Sequence, residues 1–444
     1  MNRSLTNFSI RAQAALLTPF LASGLWAQSA TVTEVNTLPD DISLGGFQNS
    51  YLPGSVGADH GFKLGGIGSG LWTGPGDGPG VFWMITDRGP NPQTPAPVKR
   101  SFPVPTFTPF ILKVRAANGV IDILQAIPIT GSNGLGVTGL PNDPSAASPA
   151  SPNPLRDEVP FECSVTTAIP GNQNGHDTED IVRDVHGTFW TVDEYGPSIS
   201  KIDATGRVLK RFVPQGRELV SGNQFVVVGN LPAILGRRPR NRGFEGLALT
   251  PDNKTLLAVV QSPLTNPTTA VGNPSRVIRL IAFDIETETP TAEYAYVMQP
   301  VTEFGNTNPT EMKISAISAL DEHRFLVLER TDAVAKIFIV DLRQATNILG
   351  STWDLSTTSP SLESLSDTLA ANGVQALEKE LVLDLSTLGA VIPPKIEGLT
   401  VLNGKTIAVS NDNDFQVGPP TCGPNASTGA TSKVIIINLD KPIK

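Results

Sequence analysis

A two-strand unit recurs five times along the chain, and this repeat constrains the fold more than any other feature. Each unit starts with a small or acidic residue, runs through an apolar stretch and a turn, and ends a second β-rich stretch on a polar residue. The two marker positions lie 14 to 18 residues apart, the length of two short strands joined by a tight turn. The starts are Ser69, Glu179, Glu245, Ser315 and Glu397, and the ends are Asp87, Glu194, Gln261, Glu329 and Asn411.

Further β-rich segments follow most units, such as Arg276 to Ile285 and Ala292 to Met298 after the third. Repeats of about four strands are typical of propeller blades. We therefore predict an all-β fold, a β-propeller with five recognisable blades and a sixth within the insertions. The strand-like segment Ala30 to Thr37 is expected to close the ring beside the C-terminal strand. The alternative is a β-sandwich whose segments resemble one another by coincidence.

Three insertions interrupt the repeat. Residues 131–175 are rich in Pro, Ser and Asn and are expected to form a loop, and residues 215–242 end in a basic run that either faces an anion or is solvated. Residues 343–394 contain a stretch with helical spacing, Ser361 to Leu381. None of them resembles an independent domain, so we predict a single propeller domain over residues 30–444.

Residues 1–29 have the pattern of a cleaved signal peptide. Arg3 and Arg11 precede the apolar stretch Ala14 to Trp26, and small residues follow it. The stretch is too short to span a membrane, so no transmembrane segment is expected. We predict a periplasmic or extracellular protein. In such an oxidising compartment Cys163 and Cys422 either form a disulfide or remain apart, and the sequence leaves this open.

The charge balance argues against nucleic acid as a partner. Charged residues make up 17% of the chain and its formal net charge is -9. Loss of the signal peptide would remove two arginines and leave a charge of about -11. Nucleic-acid binding needs clustered Lys and Arg to neutralise phosphates, whereas the basic pairs here are local. We expect a small-molecule partner instead.

The repeat also predicts where the chemistry lies. In a propeller the first residues of the innermost strands meet at one end of the axis, and the ends of the second strands return there. Carboxylates crowded in this way repel one another unless they are protonated or neutralised, and Ca²⁺ accepts about six to eight oxygen ligands. The predicted ligands of a divalent metal, with Ca²⁺ preferred, are Glu179, Glu245, Glu397, Asp87, Glu329, Asn411 and Asp412.

Four residues are predicted to be catalytic. Glu194 or His176 would move a proton, although an exposed loop is the alternative setting for His176. Arg88 and Arg330 would hold an anionic substrate group or neutralise part of the acidic charge. The predicted substrate-binding residues are Arg88, Arg330, Gln261 and Tyr195. The sequence contains no G-x-S-x-G or H-E-x-x-H motif and no complete P-loop, which favours hydrolysis by metal and carboxylates.

Several stretches at these positions carry a family resemblance. They are residues 83–90 (WMITDRGP), 177–181 (DTEDI), 193–199 (DEYGPSI), 241–247 (NRGFEGL), 395–399 (KIEGL) and 411–415 (NDNDF). In combination they resemble the phytase-like esterase domain of bacterial secreted proteins, over roughly residues 60–440.

The resemblance implies a β-propeller with hydrolytic activity toward esters, in some members toward phytate. This chain has no dense Lys and Arg surface for inositol hexakisphosphate, which favours a simpler ester or phosphoester. We therefore predict a secreted, metal-dependent hydrolase of esters or phosphoesters. The alternatives are a non-catalytic, calcium-stabilised propeller that binds a ligand or partner, and a lactonase-type hydrolase.

Overall fold

The computed structural model describes residues 27–96, 98–142, 157–218, 222–418, 421–425 and 429–443. The predicted signal peptide lies outside this part of the chain, except for its last three residues. The strands are β1 (Ala30–Thr37), β2 (Gly70–Trp72), β3 (Val81–Ile85), β4 (Arg100–Ser101), β5 (Phe110–Ala117), β6 (Val120–Pro128), β7 (Pro160–Phe161), β8 (Thr178–Arg183), β9 (Phe189–Asp193), β10 (Ser198–Ile202), β11 (Val208–Pro214), β12 (Val226–Leu231), β13 (Phe244–Leu249), β14 (Thr255–Val260), β15 (Val277–Asp284), β16 (Thr289–Val297), β17 (Lys313–Ala319), β18 (Arg324–Arg330), β19 (Ala335–Asp341), β20 (Glu378–Asp384), β21 (Ile396–Asn403), β22 (Thr406–Asn411) and β23 (Lys433–Leu439).

Helical structure is short. The α-helices are α1 (Leu44–Tyr51) and α2 (Thr269–Gly272). The 3₁₀ turns span Ala233–Arg237, Val301–Phe304, Pro309–Glu311, Thr352–Asp354, Leu362–Ser364, Ala370–Asn372, Leu385–Val391 and Asp414–Gln416. In the described part of the chain, no helix is long and apolar enough to cross a membrane.

The strands form five blades of four antiparallel strands each. Blade 1 consists of β2, β3, β5 and β6, blade 2 of β8 to β11, blade 3 of β13 to β16, and blade 4 of β17 to β20. Blade 5 consists of β21, β22, β23 and β1. The repeated sequence unit corresponds to the two inner strands of every blade. In blade 1 the outer hairpin turns at Asn118 and Gly119, which both have positive φ, as a two-residue hairpin turn requires.

The ring closes after five blades. The innermost strands β2, β8, β13, β17 and β21 contact one another in this order, and β21 contacts β2. The predicted closure by the N-terminal segment is confirmed, because β1 pairs with β23 from Ala30–Leu439 to Thr37–Lys433. The all-β propeller is also confirmed. The predicted sixth blade does not form in the described residues, since five inner strands already complete the ring and insertion 215–242 adds only β12 to the edge of blade 2.

The insertion between β19 and β21 differs from the expected helix. Its helical pattern forms short 3₁₀ turns and then joins β20. Leu362, Leu365, Leu369 and Val374 pack with Ile348 and Val277, so successive turns bury the periodic apolar residues on blade 3 without a continuous helix. Gly373, at φ 78°, ends the last turn before the strand.

A disulfide between Cys163 and Cys422 answers the question that the sequence left open. It joins the loop after β7 to the loop after β22. The neighbouring chain is held further by Ser101 and Thr421, whose hydroxyls donate to the carbonyls of Thr421 and Cys163 at 2.7 and 2.8 Å. The short parallel pair β4–β7 lies beside this connection. The disulfide thus connects two loops that are 259 residues apart in the sequence.

Candidate functional site

A cavity of about 680 Å³ opens at the axial end where the innermost strands begin. Of the described residues, ten acidic and six basic side chains line it. The acids are Asp87, Asp177, Glu179, Glu194, Glu245, Glu311, Asp332, Glu397, Asp412 and Asp414. The basic residues are Arg88, Arg100, Arg242, Lys313, Arg330 and Lys395. The cavity is therefore suited to polar or charged ligands.

A β-bulge places the first marker of four blades in this cavity or at its edge. The pairing of β8, β13, β17 and β21 with the next strand is interrupted at Glu179, Glu245, Ser315 and Glu397 respectively. A bulged residue is left out of the strand ladder and bends the strand locally. The same β-bulge therefore recurs in four blades, and the bulged residue is a glutamate in three of them.

The strongest candidate for a cation site is the set Asp177, Glu179 and Glu194, which we call the acidic cluster. One carboxylate oxygen from each residue lies within 4.8 Å of the other two, and all three residues are buried. Oε1 of Glu194 has no hydrogen-bond partner among the described residues. Glu179 and Glu194 also form no ion pair within the described chain.

Burial is the main cause that raises the pKa values in the acidic cluster. It raises the pKa of Glu179 and Glu194 well above the ordinary range, with the charge of Glu245 as the next contribution. It raises the pKa of Asp177 to about 6, against the opposing effect of Arg88. Ionised carboxylates in such a place need compensating charge. The cluster therefore favours either bound protons or a cation.

Arg88 forms an ion pair with Asp177 of the acidic cluster. Its guanidinium lies 2.6 Å from Oε1 of Glu158 and 3.1 Å from Oδ2 of Asp177. It also donates to the hydroxyl of Tyr195 at 3.2 Å, and that hydroxyl donates to the carbonyl of Gly139 at 2.9 Å. Arg88 is only 3% exposed, so its main contribution is to fix the position of Asp177.

A second acidic set already contains a cation of the chain. Asp87, Asp412 and Asp414 bring carboxylate oxygens within 4.8 Å of one another. Lys395 forms an ion pair with Asp414, and Oδ1 of Asp87 accepts from the backbone N–H of Gly89 at 2.7 Å. Asp414 is thus paired with a cation of the chain, whereas burial raises the pKa of Asp87 and Asp412 well above the ordinary range.

The three glutamates predicted to share one metal are divided between two environments. Glu179 belongs to the acidic cluster, whereas Glu397 forms an ion pair with Arg330. Glu245 lies 3.9 Å from the same guanidinium, and its Oε2 has no hydrogen-bond partner among the described residues. Burial, together with the charge of Glu397, raises the pKa of Glu245 to about 7.

The cavity brings together nine of the thirteen residues that the sequence singled out. They are Asp87, Arg88, Glu179, Glu194, Glu245, Gln261, Arg330, Glu397 and Asp412. Their chemical roles remain predictions, but their convergence follows from the repeat.

The other four do not line the cavity. Glu329 and Asn411, which were predicted to be metal ligands, make their contacts elsewhere in the structure. Glu329 binds the Tyr296 hydroxyl, Lys379 and the backbone N–H of Gln299. Because successive side chains of a strand alternate in direction, it is Arg330 that reaches the cavity. In the same way Asp412 lies in the cavity, while Oδ1 of Asn411 accepts from the Lys433 N–H at 2.9 Å.

His176 and Tyr195 are buried away from the cavity surface. The Tyr195 hydroxyl accepts a hydrogen bond from Arg88. Nδ1 of His176 is 2.9 Å from the carbonyl of Asn174, and its Nε2 is 3.3 Å from Oγ of Ser200. Burial, and then the charge of Arg211, lowers the pKa of His176 well below the ordinary value. The imidazole is therefore neutral and has a structural role. The sequence could not show whether His176 lies in the core or at the rim of the cavity.

Sequence reasoning missed three cavity residues that stand close to the markers. Asp177, Lys313 and Lys395 each stand two positions before a marker glutamate or serine. Lys313 begins β17, and Asp177 and Lys395 directly precede β8 and β21, so all three lie where the innermost strands enter the cavity. Arg100 begins the short strand β4 and Glu158 lies just before β7, and the local sequence carries no signal for their position.

Comparison with known proteins gives a consistent picture. A secreted protein of Arthroderma benhamiae, described as uncharacterized, is 28% identical over 319 residues, which is 63% of this chain and 61% of that protein. The match therefore spans less than two thirds of the length of that relative.

Solved propeller-containing structures are more distant. The luciferin-regenerating enzyme covers 86% of this chain and 80% of its own at 11% identity and a TM-score of 0.34. The PQQ-bound aldose sugar dehydrogenase of Streptomyces coelicolor covers 93% and 100% at 11% identity and a TM-score of 0.33. At such low scores neither structure informs the function.

A family model gives the assignment. The model of the phytase-like family, described as esterase-like activity of phytase, matches residues 63–415. That range includes all five innermost strands and every acidic residue that lines the cavity. The chain belongs to the phytase-like family.

Proposed function

We propose that this protein is a secreted hydrolase of small esters or phosphoesters that acts at the axial cavity with a bound divalent cation. The observation that carries the proposal is the acidic cluster, where three buried carboxylates converge and Glu194 leaves one oxygen without a partner. The family assignment supports ester chemistry. The similarity to a secreted protein supports a periplasmic or extracellular location.

The residues of the acidic cluster fit a hard cation. Asp177, Glu179 and Glu194 offer only oxygen ligands, which Ca²⁺ prefers, and their negative charge would stabilise it. When bound there, such a cation supplies a Lewis acid that polarises a substrate oxygen and lowers the pKa of a bound water. Arg88 keeps Asp177 in place, and Tyr195 keeps Arg88 in place.

Glu245 is the best candidate to move a proton. It lines the same cavity, its Oε2 is unpartnered among the described residues, and its pKa is raised to about 7. A carboxyl group that titrates near neutral pH can both accept and return a proton. Glu194, which together with His176 was the candidate for this role from the sequence, belongs to the acidic cluster and is assigned to cation binding instead.

The test is hydrolysis of p-nitrophenyl acetate and p-nitrophenyl phosphate by calcium-loaded protein, chelator-treated protein and the variant Glu179→Gln. We expect chelation and Glu179→Gln each to lower kcat/KM by at least about 100-fold for the cleaved substrate, as loss of a key electrostatic group does. Glu286→Gln, on an exposed turn, is the matched control. Rates that survive both treatments would exclude the cation mechanism.

The same experiment separates the alternatives. A non-catalytic, calcium-stabilised propeller would lose thermal stability on chelation but would cleave no member of an ester panel. A lactonase-type enzyme would cleave cyclic esters in preference to the open p-nitrophenyl esters. A panel that includes simple lactones therefore completes the test.

A further inference from the structure

The basic residues of the cavity differ in how fully they are neutralised. Arg88 contacts two carboxylates, Glu158 and Asp177. Arg330 contacts Glu397 and lies 2.9 Å from Oδ1 of Asp332. Both arginines are at most 3% exposed. They are therefore already saturated by acids of the chain and have little capacity for a further anion.

Arg242 and Lys313 are less fully compensated. Arg242 donates to the neutral Oε1 of Gln261 at 2.8 Å and forms no ion pair within the described part of the chain. Lys313 lies 2.7 Å from Oδ1 of Asp332, the same oxygen that Arg330 contacts. One acceptor atom thus serves two cations, so Lys313 shares its carboxylate partner with Arg330.

The neighbouring positive charges also affect the pKa of Lys313. Burial, followed by the positive charges of Arg330 and Arg242, lowers the pKa of the ammonium group to about 8. Arg330 and Arg242 therefore lie close enough to Lys313 to disfavour its charge. An anion bound between Arg242 and Lys313 would relieve that repulsion.

The position of Arg242 connects this part of the cavity to the acidic cluster. Its charge is among the influences that act on Glu194, and its hydrogen-bond partner Gln261 lines the same cavity as Glu245. An anion held by Arg242 would consequently lie next to both the acidic cluster and the candidate proton carrier. The three groups would act on adjoining parts of one small molecule.

We propose that Arg242 and Lys313 form an anion-binding subsite that makes the enzyme selective for substrates bearing a phosphate or carboxylate group. The inference rests on the proposed use of this cavity as the substrate site. It replaces Arg88 and Arg330, the substrate-binding arginines favoured by the sequence, which the structure shows to be engaged by acids of the chain.

The test measures binding first, because binding does not require turnover. Inorganic phosphate and acetate are titrated calorimetrically into calcium-loaded wild-type protein, Arg242→Gln and Lys313→Met. Charged hydrogen bonds of this kind are worth enough that each variant should bind the preferred anion at least about tenfold more weakly. Phosphate and acetate separate the two anion types. Lys254→Met, an exposed lysine on a turn between β13 and β14, should bind like the wild type.

The kinetic arm compares p-nitrophenyl phosphate and p-nitrophenyl succinate with the neutral p-nitrophenyl acetate. Both variants should raise KM for the anionic esters and leave KM for the neutral ester unchanged. Equal losses on neutral and anionic esters, or unchanged anion binding, would overturn the subsite. If the anion binds through these two residues but no ester is cleaved, the subsite stands and the proposed hydrolase function fails.

Discussion

Two regions of this propeller bury several carboxylates, and they resolve the resulting repulsion differently. On the outer strands of blade 3, Arg279 lies 2.7 Å from Glu293, 2.8 Å from Glu363 and 3.6 Å from Asp354. In the axial cavity, Arg88 reaches only Asp177 of the acidic cluster. Glu179 and Glu194 have no corresponding cation among the described residues.

The difference separates a structural charge network from a ligand site. The network of blade 3 supplies its own guanidinium at its centre, and it ties the insertion after β19 to the blade. The acidic cluster gathers negative charge at the open end of the axis without supplying the cation. Buried charges that remain uncompensated are costly, so we interpret the first region as stabilising and the second as built for a ligand.

The largest effect is expected from Arg279→Leu. Removing this guanidinium leaves the buried Glu363 with the Asn266 amide as a hydrogen-bond donor and, among the described residues, no cation beside it, and loss of a buried ion-pair partner typically costs about 3–5 kcal/mol. Denaturant unfolding of the variant measures the loss. Arg276→Leu is the control, because Arg276 pairs with the largely exposed Asp367 and such pairs contribute at most ~1 kcal/mol. Similar losses in both variants would contradict the assigned importance of the network.

Glu179→Gln, in the acidic cluster, should affect the stability of the protein differently in chelator and in calcium. In chelator, Glu179→Gln replaces a buried carboxyl group whose ionised form is disfavoured there, and it should leave the protein as stable as the wild type or more stable. With calcium at 100 times its dissociation constant, the wild type should gain about 2.7 kcal/mol, which the variant loses. Thermal melts of both proteins with chelator and with calcium check this, and a variant that is destabilised equally in the two conditions would refute it.

A smaller effect concerns pH. Burial raises the pKa of Glu293 to about 8, from an ordinary value of 4.5, in spite of Arg279. The folded protein thus keeps a proton that the unfolded chain releases, and the stabilisation is complete below about pH 4.5 and is lost as pH rises toward 8. Between pH 5 and 8, the wild type should lose at least ~1 kcal/mol relative to Glu293→Gln.

Chemical denaturation across this pH range measures the difference between the two proteins. Calcium should not change it, because Glu293 lies outside the axial cavity. If the stability of the wild type relative to Glu293→Gln stays constant or rises as pH increases, Glu293 is ionised in the folded protein.

These comparisons indicate how much of the site the sequence could predict. The repeat located Glu179, Glu245 and Glu397 because one bulge recurs at the start of successive inner strands. It placed both Glu329 and Arg330 in the site, although neighbouring residues of a strand face opposite sides, and of the two Arg330 alone lines the cavity. It also could not assign Glu158 and Arg100, which long loops bring to Arg88 from other parts of the chain.

The central claim is that the acidic cluster binds a divalent cation. Calorimetric titration of calcium into chelator-stripped protein tests it most directly, with Glu194→Gln as the test variant and Glu293→Gln as the buried control. We expect saturable binding in the wild type and in Glu293→Gln, and a loss of at least about tenfold in affinity in Glu194→Gln, where a ligand charge is removed. Absence of saturable binding in the wild type, or equal affinity in Glu194→Gln, would contradict the claim.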